Sequence, residues 1–480
     1  MALLLGCESA TDREERLART YCSSCHQFPE PSLLDKAAWQ QVMPEMAFRM
    51  GVDASRLSTL PEEDLFHVLR SLPPSSTVTA DEWAAIERYF QRAAPDSLQQ
   101  PATRVAQPLT QFVAERISLP HNRFPMLSLL QADTNQQHIF TSNRRNWLHR
   151  YNYLFKPLDS LRLGSPASMV RPDSTGTWIL QMGIMDPNDQ PKGSLVFLPH
   201  DGPSTTVIDS LKRPVYFELA DFNNDRLQDI VVCAFGNYTG NLLVYENLGN
   251  QQYRQHVLSH LPGARKVVVR DVNEDGLPDL LALLTQGDEQ VTLLINGGRF
   301  NFRINTLLRF PPVYGTSYFE VVDFNRDGHF DLLCTQGDNA DYSITLKPYH
   351  GIRLFLNDGK NQFKEQWFEP LHGCSWAEAR DFDRDGDMDV AAISFFPDFR
   401  KPEQSVVYLE NDNGKMVPYA TPLAREGRWL LMETADLDGD TDQDLLLGAL
   451  DFNNGVPADL VNTWKEKPVS VLVLRNQTVR

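Results

Sequence analysis

Two cysteines and a histidine near the start of the chain have a spacing that could hold a cofactor. Cys22 and Cys25 lie three residues apart in YCSSCHQFP, and His26 follows directly. Two thiols on one helical turn can each add to a vinyl group of a haem, and the next imidazole can then bind the iron. A redox dithiol would follow a strand of a βαβ unit, and a structural zinc site would need a second ligand pair nearby. The sequence of this segment has neither, so the pattern predicts one covalent haem c.

The iron of such a haem takes a sixth ligand, which is usually a thioether or a second imidazole. The segment WQQVMPEMAFRMG offers Met43, Met46 and Met50, and His67 follows in EEDLFHVLRS. Methionines at helical spacing more often fill a core than bind a metal. We therefore expect at most one of the three methionines to bind iron.

Helices should position these residues. The segment REERLARTYC predicts a helix that runs into the first cysteine. Thr79 and Glu82 form a capping box at the start of TADEWAAIERYFQRAAP, an amphipathic helix that Pro95 ends. A CxxCH helix, a methionine-bearing loop and a closing helix together resemble a small class I cytochrome c over residues 10–95. The resemblance implies an all-α haem domain with Met46 as the axial ligand and Met50 as the second choice.

Five nine-residue segments farther along the chain place carboxylates and amides at positions 1, 3, 5 and 9. Hard oxygens at this spacing around a sharp turn are typical of calcium loops, and without a cation the carboxylates would repel one another. The segments hold twenty acidic residues, more than the net charge of −18, so the acidity of the chain belongs to them. We predict three to five Ca²⁺. The candidate ligands are Asp221, Asn223, Asp225, Asp229; Asp271, Asn273, Asp275, Asp279; Asp323, Asn325, Asp327, Asp331; Asp381, Asp383, Asp385, Asp389; and Asp436, Asp438, Asp440, Asp444.

The sixth position of each loop divides the five. Gly276, Gly328 and Gly386 occupy it in three loops, whereas Arg226 and Thr441 occupy it in the first and last. Residues with a Cβ resist the left-handed conformation that a sharp turn uses. The sequence therefore ranks the first and last loops below the other three as calcium sites.

The loops recur about every 50 residues, and each lies among short apolar runs that read as four strands. This is the pattern of a β-propeller blade. Two weaker units around Asp133 and Asp173 precede the five, which makes seven blades. The last unit lacks a fourth strand, and Thr110–Pro120 matches the missing one. We predict that Phe112–Ile117 pairs with the strand at the end of the chain and closes the seventh blade.

These repeats resemble the FG-GAP or VCBS type of calcium-loop propeller, which also occurs in integrin α-chains. The resemblance implies side-chain ligands at positions 1, 3, 5 and 9, with a backbone carbonyl at position 7, in the three glycine-bearing loops. The predicted fold class is thus multidomain, an all-α class I cytochrome c domain plus an all-β seven-bladed propeller with calcium loops. The predicted segments are 1–9, a lipoprotein-like start; 10–95, the haem domain; 96–108, a polar linker; and 109–480, the propeller, of which 109–120 completes the last blade.

The N-terminal sequence and the charge indicate where the protein works. Leu4–Cys7 resembles a bacterial lipobox, in which Cys7 is lipidated, so we expect an exported, periplasmic or cell-surface lipoprotein held to a membrane by its acyl chains. A net charge of −18 argues against nucleic-acid binding. Cys233 and Cys334 lie in apolar runs and read as small buried residues.

Loops that join second and third strands should emerge on the face opposite the calcium loops. They are long and aromatic, which suits a protein or carbohydrate ligand, or equally the docking of the haem domain. The sequence shows no nucleophile elbow, phosphate loop or HExxH helix, so no catalytic residue is assigned. The favoured function is electron transfer to a redox partner of the cell envelope. The alternatives are a propeller dehydrogenase with the haem as internal acceptor, and a surface adhesion or sensing module.

Overall fold

The computed structural model describes residues 9–101, 104–119, 124–338 and 345–478. The predicted lipidation site Cys7 and Pro120 at the end of the predicted closing strand lie outside the described residues.

Four helices form the first part of the chain: α1 Ala10–Cys22, α2 Lys36–Arg49, α3 Glu62–Ser71 and α4 Ala80–Ala93. Their starts follow from the sequence, because Ser9 and Asp35 each accept a hydrogen bond from a backbone N–H of the first turn. At the start of α4, Thr79 and Glu82 form the predicted capping box.

The methionine-bearing loop of the sequence prediction is wrong, because Met43 and Met46 lie inside helix α2 and Met50 caps its end. The loop was part of the resemblance to a small class I cytochrome c. The helix forms nonetheless, because its buried side chains, among them Trp39 and Phe48, pack on the core.

The described residues after α4 are all β apart from one helix and short turns. They form seven sheets, each built on four blade strands, and one of these sheets gains a fifth strand at its edge. Blade 1 contains β3 Leu127–Asp133, β4 His138–Asn143, β5 Trp147–Asn152 and β6 Pro157–Arg162; blade 2 contains β7 Ala167–Pro172, β8 Gly176–Gln181, β9 Gly193–Pro199 and β10 Thr205–Leu211. Blade 3 contains β11 Pro214–Ala220, β12 Asp229–Ala234, β13 Asn241–Asn247 and β14 Tyr253–Ser259; blade 4 contains β15 Ala264–Arg270, β16 Asp279–Leu284, β17 Gln290–Asn296 and β18 Phe302–Arg309. Blade 5 contains β19 Thr316–Val322, β20 Asp331–Gln336, β21 Gly351–Asn357 and β22 Phe363–Pro370; blade 6 contains β23 Cys374–Arg380, β24 Asp389–Ser394, β25 Val406–Asp412 and β26 Lys415–Ala420.

Blade 7 closes the ring as the sequence predicts. It contains β27 Trp429–Ala435, β28 Asp444–Ala449, β29 Val471–Asn476 and, from before blade 1, β2 Phe112–Ile117. Strand β2 pairs antiparallel with β29 from Phe112 opposite Asn476 to Ile117 opposite Val471. The blade count and the closure are therefore confirmed, and this closure leaves no open seam in the ring.

Strand β1, Gln107–Pro108, departs from the predicted linker because it pairs in parallel with β26 at the outer edge of blade 6. Helix α5, Ala458–Glu466, also departs from prediction, since it lies between β28 and β29 where the sequence suggested an irregular loop. Its Leu460 and Trp464 are one turn apart and buried, and this short pattern was the available signal.

The cores follow the blades. The second strands of blades 3 to 7 are buried along their whole length, which explains their continuous apolar runs. Cys233 and Cys334 have no exposed surface in these strands, as predicted. None of the helices in the described ranges is long and apolar enough to cross a membrane.

Candidate functional site

The CxxCH segment begins where helix α1 ends. Cys22 is the last helical residue and is half-buried, whereas Cys25 is exposed, and both are free thiols. Burial, and then the neighbouring Cys25, raise the pKa of the Cys22 thiol to about 12. Cys22 therefore remains a protonated thiol at neutral pH, which separates it from the low-pKa cysteines of dithiol oxidoreductases.

His26 is oriented by the backbone. Its Nδ1 lies 2.9 Å from the carbonyl oxygen of Gln27, so the tautomer that donates this hydrogen bond leaves Nε2 with its lone pair. Burial lowers the pKa of His26, and the backbone hydrogen bond to Gln27 acts against it. A neutral imidazole with one nitrogen hydrogen-bonded is the form that binds a metal.

All three candidate methionines belong to, or pack against, the apolar core that Cys22 contacts. Met43 is 5% exposed and belongs to the apolar core between the helices, as core-filling methionines do. Met46 and Met50 are one turn apart and only partly buried, and they pack against the same core as Cys22. The structure therefore brings Cys22, Met46 and Met50 to one cluster. His67 lies on α3 and contacts the ring of Phe66, with centroids 5.5 Å apart.

The propeller contributes to this cluster as well. Val313 and Tyr349 belong to the helical core and Tyr314 packs against it. The Tyr349 hydroxyl donates a hydrogen bond of 2.9 Å to the carbonyl oxygen of Leu33. The guanidinium of Arg49 on α2 lies over the ring of Tyr238, which belongs to a loop of blade 3, at 4.8 Å from the ring centroid. Loops on the face opposite the acidic loops thus dock the helices, which is one of the two roles the sequence left open for them.

The five acidic loops share one backbone conformation. Position 6 has φ of 85°, 87° and 103° at Gly276, Gly328 and Gly386, and Arg226 and Thr441 take the same region with φ of 70° and 78°. Arg226 and Thr441 thus adopt the left-handed conformation that we expected residues with a Cβ to resist. A Cβ at Gly276 or Gly328 would meet no atom within 4 Å, so the cost is one of conformation and not of collision.

The ninth aspartate holds each loop to its blade. All five are fully buried, and each accepts hydrogen bonds from two backbone N–H groups, one at loop position 2 and one at an asparagine at or next to the end of the third strand. The asparagines donate over 2.7–2.9 Å and are Asn247, Asn296, Asn357, Asn411 and Asn476. Sequence reasoning missed these asparagines, although each ends an apolar run of the same type. The aspartate therefore has a structural role beside the metal-binding role that the sequence assigned to it.

The third position separates the loops into two kinds. In blades 3, 4 and 5 the amide Nδ2 of the third-position asparagine donates a hydrogen bond of 2.9 Å to the fifth-position aspartate. We call these the amide loops. In blades 6 and 7 the third residue is an aspartate, and three carboxylates of each loop offer oxygens within 4.8 Å of one another. We call these the carboxylate loops; their triplets are Asp381, Asp383, Asp385 and Asp436, Asp438, Asp440.

The carboxylate loops also carry an aspartate at position 7. Asp442 is 2% exposed, and no donor of the described residues reaches either of its oxygens; the same holds for Oδ1 of Asp387. Burial and then the neighbouring Asp440 raise the pKa of Asp442 to about 7, and burial and then Asp385 raise that of Asp387 to about 6. Such groups are costly unless a cation or proton compensates them. The arrangement suits a divalent cation with oxygen ligands.

Comparison with known proteins agrees with the repeat pattern. A family model described as an FG-GAP-like repeat matches residues 221–282 and 271–334. No curated protein matches the sequence significantly. Among solved structures, the WD40 domain of Neurospora crassa Pan2 is 11% identical with a TM-score of 0.47, and the N-terminal domain of Nup159 is 13% identical with a TM-score of 0.44. Each alignment covers 79% of this chain and 99% of the other. The family match and the strand pairing described above show FG-GAP-like repeats within a seven-bladed β-propeller.

Proposed function

We propose that the protein is an exported c-type electron-transfer protein. A helical haem-binding region packs against a calcium-stabilised propeller, and the propeller binds a partner or ligand. Cys7 would carry the lipid that holds it at the bacterial cell envelope, where a redox protein would be its partner.

The observation that carries the proposal is the placement of Cys22, Met46 and Met50 against one apolar core, with His26 four residues after Cys22 and its Nδ1 against a carbonyl. The residues fit a haem in their chemistry, since two free thiols, an imidazole and thioethers are the groups that bind one. When bound, the haem would supply reversible one-electron transfer. Cys22 and Cys25 would attach it, and His26 and Met46 would bind its iron.

Calcium is supported by the carboxylate loops. In the carboxylate loops, three convergent carboxylates and the buried Asp442, whose oxygens have no donor among the described residues, would be stabilised by a cation. In the amide loops, the asparagine amide already donates a hydrogen bond to the fifth-position carboxylate. We propose calcium at both carboxylate loops first, through Asp381, Asp383, Asp385 and Asp436, Asp438, Asp440. The three amide loops would bind more weakly.

The haem proposal is tested by expressing the full chain in a bacterium that matures c-type haem. We expect haem that stays attached after denaturation, detected by its peroxidase activity on a denaturing gel. The double variant Cys22→Ala, Cys25→Ala should lose it, whereas Cys233→Ala, a matched change of a buried cysteine in blade 3, should keep it. Wild-type protein without attached haem, made beside a control cytochrome that matures normally, would refute the proposal.

The axial ligand is tested in the same holoprotein. A thioether ligand raises the reduction potential of a haem, so Met46→Leu should lower the potential. Met43→Leu should leave it nearly unchanged, because Met43 is a core residue. A lowered potential in Met50→Leu and an unchanged one in Met46→Leu would instead assign Met50.

A further inference from the structure

A cleft of about 610 Å³ lies between helix α3 and the loops of blade 3, on the face opposite the acidic loops. Its lining includes Arg70, Lys212, His67 and His260, and no aspartate or glutamate is among the described residues that line it. Because the whole chain has a net charge of −18, a cleft lined only by cationic and neutral side chains stands apart from the rest of the surface.

The two permanent cations of the cleft have no carboxylate as an ion-pair partner among the described residues. The guanidinium of Arg70 lies 5.4 Å from the ring centroid of Phe66, and Lys212 Nζ donates a hydrogen bond of 2.7 Å to Thr239 Oγ1. Burial lowers the pKa of Lys212, and Arg70 lowers it further, while Asp189 acts in the opposite direction. Arg70 and Lys212 line the same cleft, so an anion that contacted both side chains would be attracted by two positive charges.

Asp189 is the nearby acid, and its charge is already engaged. It has no exposed surface, and its carboxylate accepts hydrogen bonds from the backbone N–H groups of Asn237, Tyr238 and Thr239, at 3.1, 3.0 and 2.8 Å. These contacts fix the loop that carries Thr239 and Tyr238 into the cleft. Asp189 thus orders the wall of the cleft but does not face a ligand in it.

The remaining walls favour an organic ligand over a bare ion. The ring of Phe66 is 61% exposed, although it is a large apolar side chain, and Tyr238 also lines the cleft. A volume of about 610 Å³ is in the range of sites for organic molecules and far exceeds one inorganic anion. An exposed aromatic ring beside a planar guanidinium suits a flat ring that carries carboxylates.

We propose that this cleft binds a small aromatic carboxylate, whose acidic groups contact Arg70 and Lys212 and whose ring packs on Phe66. The inference rests on the proposed ligand-binding role of the propeller and is independent of the haem. No catalytic step is assigned to the cleft.

The test uses isothermal titration calorimetry on the full-length protein, whether or not it carries haem. The probe is isophthalate, and the control ligand is isophthalamide, which has the same ring and no charge. We expect isophthalate to bind and the diamide to bind at least about 10-fold more weakly, because hydrogen bonds between charged groups are stronger than those between neutral groups. Added salt should weaken binding, since the cleft is open to solvent.

The matched variants are Arg70→Met and Lys212→Met, each of which should weaken isophthalate binding about 10-fold. Arg303→Met, an exposed arginine on strand β18, makes the same charge change away from the cleft and should have no effect. Circular dichroism checks that each variant is folded. Equal binding of the diamide, no binding of isophthalate, or unchanged binding in both cleft variants would overturn the inference. Haem content, measured separately, reports on the electron-transfer proposal.

Discussion

The amide loops of blades 3 to 5 and the carboxylate loops of blades 6 and 7 have the same backbone and different charge. In both kinds, positions 4 and 6 are left-handed in all five loops and the ninth aspartate is buried. In the amide loops an asparagine neutralises part of the cluster by donating to the fifth-position carboxylate. In the carboxylate loops an aspartate replaces it and a further aspartate follows at position 7. The loop conformation thus comes from the backbone hydrogen bonds that both kinds share. The demand for a cation comes from the aspartates at positions 3 and 7.

The largest expected effect concerns what the two kinds of loop share. Asp279→Ala in an amide loop and Asp444→Ala in a carboxylate loop each leave two buried backbone N–H groups without an acceptor. We expect both to lose about 3–5 kcal/mol of unfolding free energy in chelator, given about 1–3 kcal/mol for each unsatisfied group. Urea denaturation measures this, with the exposed Asp201→Ala as the control. If only one of the two variants lost unfolding free energy, the ninth aspartate would not have the same structural role in both kinds of loop.

The fold could be predicted from the sequence because it is repetitive. The spacing of the acidic loops gave the blades, and the unmatched strand from Thr110 gave the closure that β2 and β29 form. Helix α2 was not predicted, because its formation depends on packing of Trp39 and Phe48 that no local pattern records. The helical spacing of Met43, Met46 and Met50 was the one available signal.

The ranking of the candidate calcium sites could not be predicted from position 6 alone. Glycine at that position was taken as the mark of a site, but Arg226 and Thr441 adopt the same conformation. What distinguishes the loops is a hydrogen bond from the third residue, which requires the fold to bring an amide to Asp225 or Asp275. Likewise, the cleft between α3 and blade 3 joins Arg70 to Lys212 across more than 140 residues.

The second prediction removes the difference between the loops. Asp383→Asn together with Asp438→Asn gives the carboxylate loops the amide of the other kind. Since a cation that binds the folded state at a hundred times its Kd stabilises it by about 2.7 kcal/mol, we expect most of the calcium-induced rise in Tm to disappear. Asn223→Ala with Asn325→Ala is the matched change in amide loops and should leave that rise largely intact. Calcium stabilisation that persists in the first variant and vanishes in the second would reverse the comparison.

A third, smaller effect comes from the opposite exchange. Asn273→Asp replaces the donor to Asp275 with a third carboxylate. We expect a loss of about 1 kcal/mol in chelator, from the lost hydrogen bond and the added repulsion. Added calcium should recover it, because the loop then offers the same triplet as blades 6 and 7. The measurement is Tm with calcium and with chelator, and a variant equally destabilised under both conditions would show that the third position does not decide cation binding.

The smallest expected effect tests whether position 6 matters to either kind of loop. Arg226 occupies position 6 of the first amide loop with φ at 70°, and its side chain is exposed. Gly276 occupies the same position in the next amide loop. Arg226→Gly relieves a left-handed residue but adds freedom to the unfolded chain, so we expect a gain of only about 0.5 kcal/mol. Gly276→Arg should lose a similar amount, because a Cβ there meets no neighbour within 4 Å. Urea denaturation in chelator measures both, and a loss of several kcal/mol at Gly276 would mean that glycine, and not the amide at position 3, sets the loop apart.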